Sequence, residues 1–308
     1  MDFDYSKINN LRVLLVGGTG FIGRYILQKL IQHNAKVSIL ALFREGEYNG
    51  ELLNRCEFLL KGEVFDTDVQ NKIREQKWDC VINCGGYINQ NLDKESEEEM
   101  FRAHFETVRV LVNLVGNNIK RFIQTGSAVE YGNNPIPHRE DMREMPLNPY
   151  AAAKVAATHY LQMRYRTYGF PVVILRPFFV YGEGQDNKKL IPYIIEKAKR
   201  NEDIILNNPD SIRDPIHVED VAEAYIRALI VDGIDGEIIN IGSGKGYTVR
   251  DISEMIIKKI GKGRIKIQTR SNRCSDMKQS VADNKKLLYM LLFSTFRMFD
   301  NFLEELDC

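Results

Sequence analysis

The sequence is short of several things: it has one tryptophan, five cysteines without a CxxC pair, and no excess of either charge. With 42 Lys plus Arg against 42 Asp plus Glu, no general field draws the chain to nucleic acid or anionic lipid. Any anionic ligand must therefore be held by local groups. The longest uninterrupted apolar runs, such as Pro171 to Leu175, fall far short of the roughly eighteen residues that span a bilayer. The N-terminal stretch MDFDYSKINN is acidic and polar where a secretion signal would place positive charge and then an apolar segment. Cys56, Cys80, Cys84, Cys274 and Cys308 read as reduced thiols of a cytoplasmic protein. Cys80 and Cys84 flank an apolar run with no histidine cluster beside it, so no metal site is expected. Low-complexity linkers and internal repeats are also lacking.

What is present is enough apolar material for a large core: 44% of 308 residues are hydrophobic. Leu11 to Val16 is a strand-like run that stops at a glycine cluster, after which Tyr25, Ile26, Leu27, Leu30 and Ile31 recur at helical spacing. Further strands are expected at Val37 to Phe43, Phe58 to Leu60, Cys80 to Cys84, Arg121 to Thr125 and Pro171 to Leu175. Most are separated by helical patterns, and such alternation builds a parallel sheet covered on both faces. Beyond Arg176-Pro177 the pattern becomes irregular, returns to a strand at Glu237 to Ile241, and ends with helices at about 249 to 260 and 296 to 305. The expected architecture is α/β: a Rossmann-type doubly wound domain over 1–178 plus a returning segment near 214–242. A smaller substrate-binding lobe takes 179–213 and 243–308.

Gly17, Gly20 and Gly23 close a strand and open a helix, the context in which this spacing becomes a dinucleotide fingerprint. Glycine lets the backbone turn tightly and approach a pyrophosphate, while free amides at the helix start favour its charge. A cofactor lacking the 2′-phosphate calls for a carboxylate closing the second strand, about twenty residues on. Here Ser38 to Arg44 contains none, whereas Arg24 and Arg44 offer guanidinium groups suited to a phosphate. NADP(H) is therefore favoured, with NAD(H) possible.

Asn148-Pro149-Tyr150-Ala-Ala-Ala-Lys154 reads as a helix start, with Asn at the cap and Pro at the first helical position. A spacing of four puts Tyr150 and Lys154 on one face. An ammonium near the phenol is expected to lower its pKa and make it a usable proton donor or acceptor.

These motifs together resemble the extended short-chain dehydrogenases/reductases that modify nucleotide-linked sugars. The resemblance runs through GGTGFIG at 17–23, Glu63-Val64, Cys84-Gly85-Gly86, Ser127 in GSAVEYG, YAAAK at 150–154 and RPFFVYGEGQ at 176–185. It continues through RDPIHVEDVAEAY at 213–225, INIGSG at 239–244, and Arg273 ahead of SVADNKKL. It implies Ser127, Tyr150 and Lys154 as the catalytic set, Lys154 also holding the nicotinamide ribose. Cofactor contacts would fall on Gly17, Thr19, Gly20, Phe21, Ile22, Gly23, Arg24, Arg44, Glu63, Val64, Cys84, Gly85 and Gly86. Ser127, Ala128, Leu190, Tyr193, Arg213 and Arg273 would touch the substrate, the two arginines gripping its diphosphate.

Within that family, dehydratases place an Asp-Glu pair after the catalytic hydroxyl, and here Ala128 and Val129 stand there. The GSAVEYG segment also lacks the extra cysteine of fucose-type epimerase-reductases. What remains is reduction of a nucleotide-linked 4-keto-6-deoxy sugar, with C4 epimerisation through a transient ketone as the alternative. A non-catalytic cofactor-binding protein is a further alternative, which retention of Ser127, Tyr150 and Lys154 opposes. Reduction is favoured by the missing carboxylate after the second strand, by Glu130 in AVEYG, and by Phe179 where epimerases often carry Asn. Asp220 and Glu223 read as a capping box, and His104, where the family commonly has Asn, as a core or cap histidine. The resemblance further implies a homodimer through helices at 97–117 and 149–168, using Leu111, Leu114, Val115, Ala152, Ala156 and Tyr160.

Overall fold

A computed structural model describes residues 3–42, 50–88, 92–268, 277–294 and 296–305. The first half alternates as the sequence predicts: β1 (Arg12–Val16), α1 (Phe21–Gln32), β2 (Lys36–Ala41), α2 (Gly50–Leu53), β3 (Phe58–Lys61), α3 (Thr67–Glu75) and β4 (Cys80–Asn83). There follow α4 (Lys94–Phe101), a π turn (Arg102–Glu106), α5 (Thr107–Val115), β5 (Arg121–Thr125), α6 (Pro149–Tyr168) and β6 (Val172–Pro177). The second half holds β7 (Phe179–Tyr181), α7 (Leu190–Lys199), β8 (Asp203–Leu206), β9 (Ile212–Arg213), β10 (Pro215–His217), α8 (Val218–Ile230) and β11 (Ile238–Ile241). It closes with β12 (Tyr247–Thr248), α9 (Val249–Ile260), β13 (Arg264–Ile267), α10 (Lys285–Met290) and α11 (Phe299–Glu305).

Seven strands pair in parallel in the order β11-β6-β5-β4-β1-β2-β3. The chain leaves β1 toward β2 and β3, then returns to lay β4 on its other side. That reversal opens a crevice beyond the carboxyl ends of β1 and β4, where open α/β sheets bind ligands. The strands are apolar on both faces because both are covered. One face packs Leu15, Ile39, Ile82 and Ile123 against Ile26, Leu27 and Leu30 of α1 and Val221 and Tyr225 of α8. The other packs Leu14, Val81, Phe122 and Ile174 against Val108, Leu111 and Val112 of α5 and Leu161 of α6. Each fully buried Leu or Ile contributes about 1.5–3 kcal/mol, so the frame is fixed before any site residue is considered.

The irregular region hides strands too short for sequence periodicity to reveal. β8 pairs with β13, and β9 with β12. Around them α7, α9 and α11 enclose a separate apolar cluster of Ile191, Ile194, Ile252, Ile256 and Phe299.

Three local readings need correction. The helix expected over 97–117 is broken by the π turn, and the second strand ends at Ala41. The Asp220–Glu223 capping box does not form: His217 caps α8, its Nδ1 accepting from the Glu219 amide at 3.3 Å. Asp220 lies inside the helix and accepts from the Arg297 amide at 2.7 Å. Capping boxes form instead at Ser127/Glu130 and Thr248/Asp251.

Candidate active site

The glycine turn sits at the mouth of the crevice. Gly17 has φ +80°, and a Cβ there would lie 2.5 Å from the Gly85 Cα, so the loops after β1 and β4 meet backbone to backbone. A Cβ on Gly23 would fall 2.1 Å from the Gly17 carbonyl oxygen, which is why α1 can start so close beneath the turn. A side chain at either place would collide with backbone and force open the turn that a pyrophosphate cradle needs. Beside it lies a cavity of about 700 Å³. Gly17, Thr19, Gly20 and Phe21 line one end, Glu63 and Val64 the other, and Cys84, Gly85 and Gly86 the floor. These are the residues expected for the dinucleotide, and the cradle fits one.

Other expected cofactor residues lie elsewhere. Ile22 and Gly23 do not line the cavity. Arg24 turns away: its Nη2 donates to the Glu183 carbonyl at 2.7 Å, packed against Gly184. Arg44 and Arg273 fall outside the described residues. At the adenosine end sequence reasoning missed Arg102, which pairs with Glu63 at 3.3 Å and lies 3.8 Å over the Phe65 ring.

Asn148 accepts from the Ala151 amide at 2.9 Å and Pro149 opens α6, so the YxxxK segment begins as its composition dictates. Lys154 is buried and donates from Nζ to the Thr125 carbonyl at 2.8 Å, at the end of β5. Its Nζ lies 5.7 Å from the Tyr150 ring centroid. Burial lowers the lysine pKa to about 8, opposed by the nearby Glu130 carboxylate and the Cys84 thiol. The expectation that Lys154 makes the phenol acidic is not met. Burial pushes Tyr150 up to about 12, a Ser127 hydrogen bond pulls it down, and Glu130 raises it again. Removal from water dominates.

Ser127 leads into a 3-10 turn, Ala128–Tyr131, and is half-buried. Ala128 is packed among Tyr131, Phe178 and Ala282. Cys84 donates to the Val16 carbonyl at 3.1 Å, and burial pushes its thiol up to about 12, so it acts as a small neutral core group. His104, expected as a core or cap histidine, lies buried in the π turn. Its Nε2 lies 2.7 Å from the Tyr87 carbonyl oxygen, so Nε2 carries the proton. The ring stands edge-on to Tyr150 at 4.9 Å and rests on Gly86. Burial drives its pKa down to about 3, with Lys154 adding to the effect. Tyr150, His104 and Gly86 thus link the catalytic helix to the floor of the cavity.

In the second lobe, Leu190 and Tyr193 open α7, but the Tyr193 hydroxyl accepts from the Ile205 amide at 3.1 Å and so braces β8. Arg213 donates to the carbonyls of Ile212 at 2.8 Å and Met277 at 2.9 Å. Asp214 beside it is fully buried, receiving Ser243, Gly244 and Ala282 amides at 2.9–3.1 Å. No group of three metal-binding side chains occurs among the described residues, and none of their helices is long and apolar enough to cross a membrane.

The family model for the NAD dependent epimerase/dehydratase family matches residues 13–242. The chain belongs to that family. Among curated relatives of this epimerase/dehydratase chain is a putative UDP-glucose 4-epimerase of Methanocaldococcus jannaschii, 32% identical over 258 residues, 81% of this chain and 82% of the relative. A UDP-glucose 4-epimerase of Corynebacterium glutamicum is 26% identical, covering 90% of this chain and 88% of its own. Among solved structures, UDP-glucuronic acid 4-epimerase of Bacillus cereus, in complex with UDP-glucuronic acid and NAD, has the same fold. It superposes with a TM-score of 0.86 at 22% identity, over 96% of this chain and 97% of the other.

Proposed function

We propose that this family member moves a hydride at C4 of a UDP-linked hexose and that its net reaction is C4 epimerisation with retained NAD. The reading is carried by one observation: Tyr150 and the buried Lys154 share one face at the start of α6, Lys154 Nζ reaching the Thr125 carbonyl just ahead of Ser127 and lying 5.7 Å from the Tyr150 ring, next to a glycine-lined cavity of dinucleotide size. Gly17, Thr19, Gly20, Glu63, Val64 and Gly85 would hold the cofactor, whose nicotinamide supplies the hydride acceptor and donor when bound. Tyr150, as the phenolate, would take the proton from the sugar 4-hydroxyl as the hydride leaves C4, and give it back when the hydride returns. Ser127 polarises the same oxygen, and Lys154 fixes the register of α6 against β5. Ala128 and Val129 leave no acid and base for dehydration. Arg213, braced on the Met277 carbonyl, and Arg273 are assigned to the diphosphate.

Epimerisation is favoured over the reduction first expected because relatives named for UDP-sugar 4-epimerisation align over most of the chain. NAD is favoured over NADP because Arg24 is engaged with the Glu183 carbonyl and Arg102 with Glu63. Reduction of a 4-keto sugar stays as the second reading, supported by Ala41-Leu42 at the end of β2, without a carboxylate, and by Phe179. Interconversion of UDP-glucose and UDP-galactose, or of the corresponding uronic acids, without added cofactor tests the first reading. Loss of 340 nm absorbance with a nucleotide 4-ketose and NAD(P)H, without interconversion, would replace it by the second. A homodimer through α4, α5 and α6 is part of the proposal. Leu111 is fully buried against the sheet, so the contact would rest on Leu114, Val115, Ala152, Ala156 and Tyr160. A monomer mass by light scattering at micromolar concentration would remove it.

A further inference from the structure

We propose that Glu130 is a positioning residue for Ser127 and that Gly126 exists to make room for its carboxylate, the two forming one unit behind the catalytic hydroxyls. The inference rests on the reading of Ser127 and Tyr150 as the reacting pair.

Glu130 is fully buried at the third position of the turn that Ser127 caps. One carboxylate oxygen accepts from the Ser127 amide at 2.7 Å. The other accepts from Arg176 Nη2 and Nε at 2.6 and 3.0 Å, and from Thr158 Oγ1 at 2.9 Å. A single carboxylate therefore joins three elements: the Ser127 turn, strand β6 and helix α6. Thr158 follows Tyr150 and Lys154 at spacings of four, so it stands on the same face of α6. The distance between the serine turn and the tyrosine helix is set by this bridge.

Gly126 completes the unit. A Cβ there would lie 2.7 Å from the Glu130 oxygen that receives the Ser127 amide, and 3.0 Å from Arg176 Cγ. Any side chain would push the carboxylate off the amide it holds. The co-occurrence of glycine before the serine and glutamate three places after it has a packing cause.

The charge acts as well as the shape. Groups facing Glu130 are Arg176 from β6 and Tyr150, Lys154 and Thr158 from α6, while Tyr131 from its own turn stacks under Arg176. Glu144 shares Arg176 at 2.7 Å and is itself 3.2 Å from His159. The Glu130 charge raises the phenol pKa and favours the Lys154 ammonium.

The test uses the full chain and the UDP-hexose that wild type converts and Tyr150→Phe does not. Glu130→Gln preserves volume but offers the Ser127 amide a poorer acceptor and removes the charge. We expect kcat to fall ten- to a hundred-fold, with KM and bound cofactor within two-fold of wild type, and the pH–kcat profile to move to lower pH. Gly126→Ala should lower kcat in the same selective way. Thr158→Val, which loosens the bridge but leaves the charge, should lower kcat several-fold without moving the profile, and remains informative if Glu130→Gln fails to fold. Two results would overturn the inference: Glu130→Gln or Gly126→Ala with kcat within two-fold of wild type and an unmoved profile, or parallel loss of kcat, cofactor and melting temperature in all three. If Tyr150→Phe turned over like wild type, the functional reading itself would fall, whatever Glu130→Gln did.

Discussion

Burial of the Lys154 ammonium should cost stability, and replacement by methionine would measure that cost. Burial takes its pKa from 10.5 to about 8. The native value lies below the unfolded one, so below pH 8 the native state carries the whole penalty of a buried ammonium, about 3 kcal/mol. The penalty fades as pH rises from 8 toward 10.5, where the unfolded lysine also loses its proton. Lys154→Met removes it but leaves the Thr125 carbonyl without its donor, a loss of about 1 kcal/mol. The net gain is about 2 kcal/mol at pH 7, or a melting temperature higher by roughly 3–6 °C, in a variant whose turnover has collapsed. Thermal melts of cofactor-stripped protein at pH 7 and pH 10 read this directly, the advantage narrowing at the higher pH. A variant that melts lower than wild type at pH 7, or whose advantage is unchanged at pH 10, would refute the reasoning.

Tyr150→Phe keeps the edge contact with His104 and deletes the phenol oxygen; kcat should fall about 10²–10⁴-fold with cofactor content unchanged, measured by steady-state turnover and by absorbance of the released dinucleotide. Gly17→Ala forces a Cβ to within 2.5 Å of Gly85 at a positive φ, so cofactor should be lost on purification; normal occupancy would show that the two loops yield. Asp220 is raised to about 6 by burial, so its charge costs nothing below pH 4 and the full amount above pH 6. Asp220→Asn, whose oxygen can still accept from the Arg297 amide, should stabilise by about 1–2 kcal/mol at pH 7 after allowance for partial exposure, and not at pH 4; equal melts at pH 7 would contradict this.

The frame was legible because its signals are local. β5 (Arg121–Thr125) and α9 (Val249–Ile260) fall where apolar runs and periodicity put them, and α6 begins at the Asn-Pro pair. What escaped depends on contacts between distant segments. Strands of two to four residues in the second lobe carry no readable alternation. The Ser-x-x-Glu pattern at 127–130 was read for its chemistry, and the pattern at 220–223 for its caps. The fold uses the first as both and the second as neither, because His217 arrives first from β10. The acidity expected of Tyr150 failed for the same reason: spacing reveals that Lys154 is near, and only three dimensions reveal that it donates to the Thr125 carbonyl and that burial of the phenol outweighs it.

The π turn at Arg102–Glu106 holds one residue more than a regular helix would need between α4 and α5. It is therefore a place where chain length, more than side-chain identity, sets the geometry under Tyr150. Deleting any one residue there would let the two helices fuse, swinging everything upstream by about 100° about the common axis. The imidazole would rotate off Gly86 while nearly every side chain of the molecule stayed as it was. Single-residue gaps in this short stretch should be far more damaging than substitutions in it.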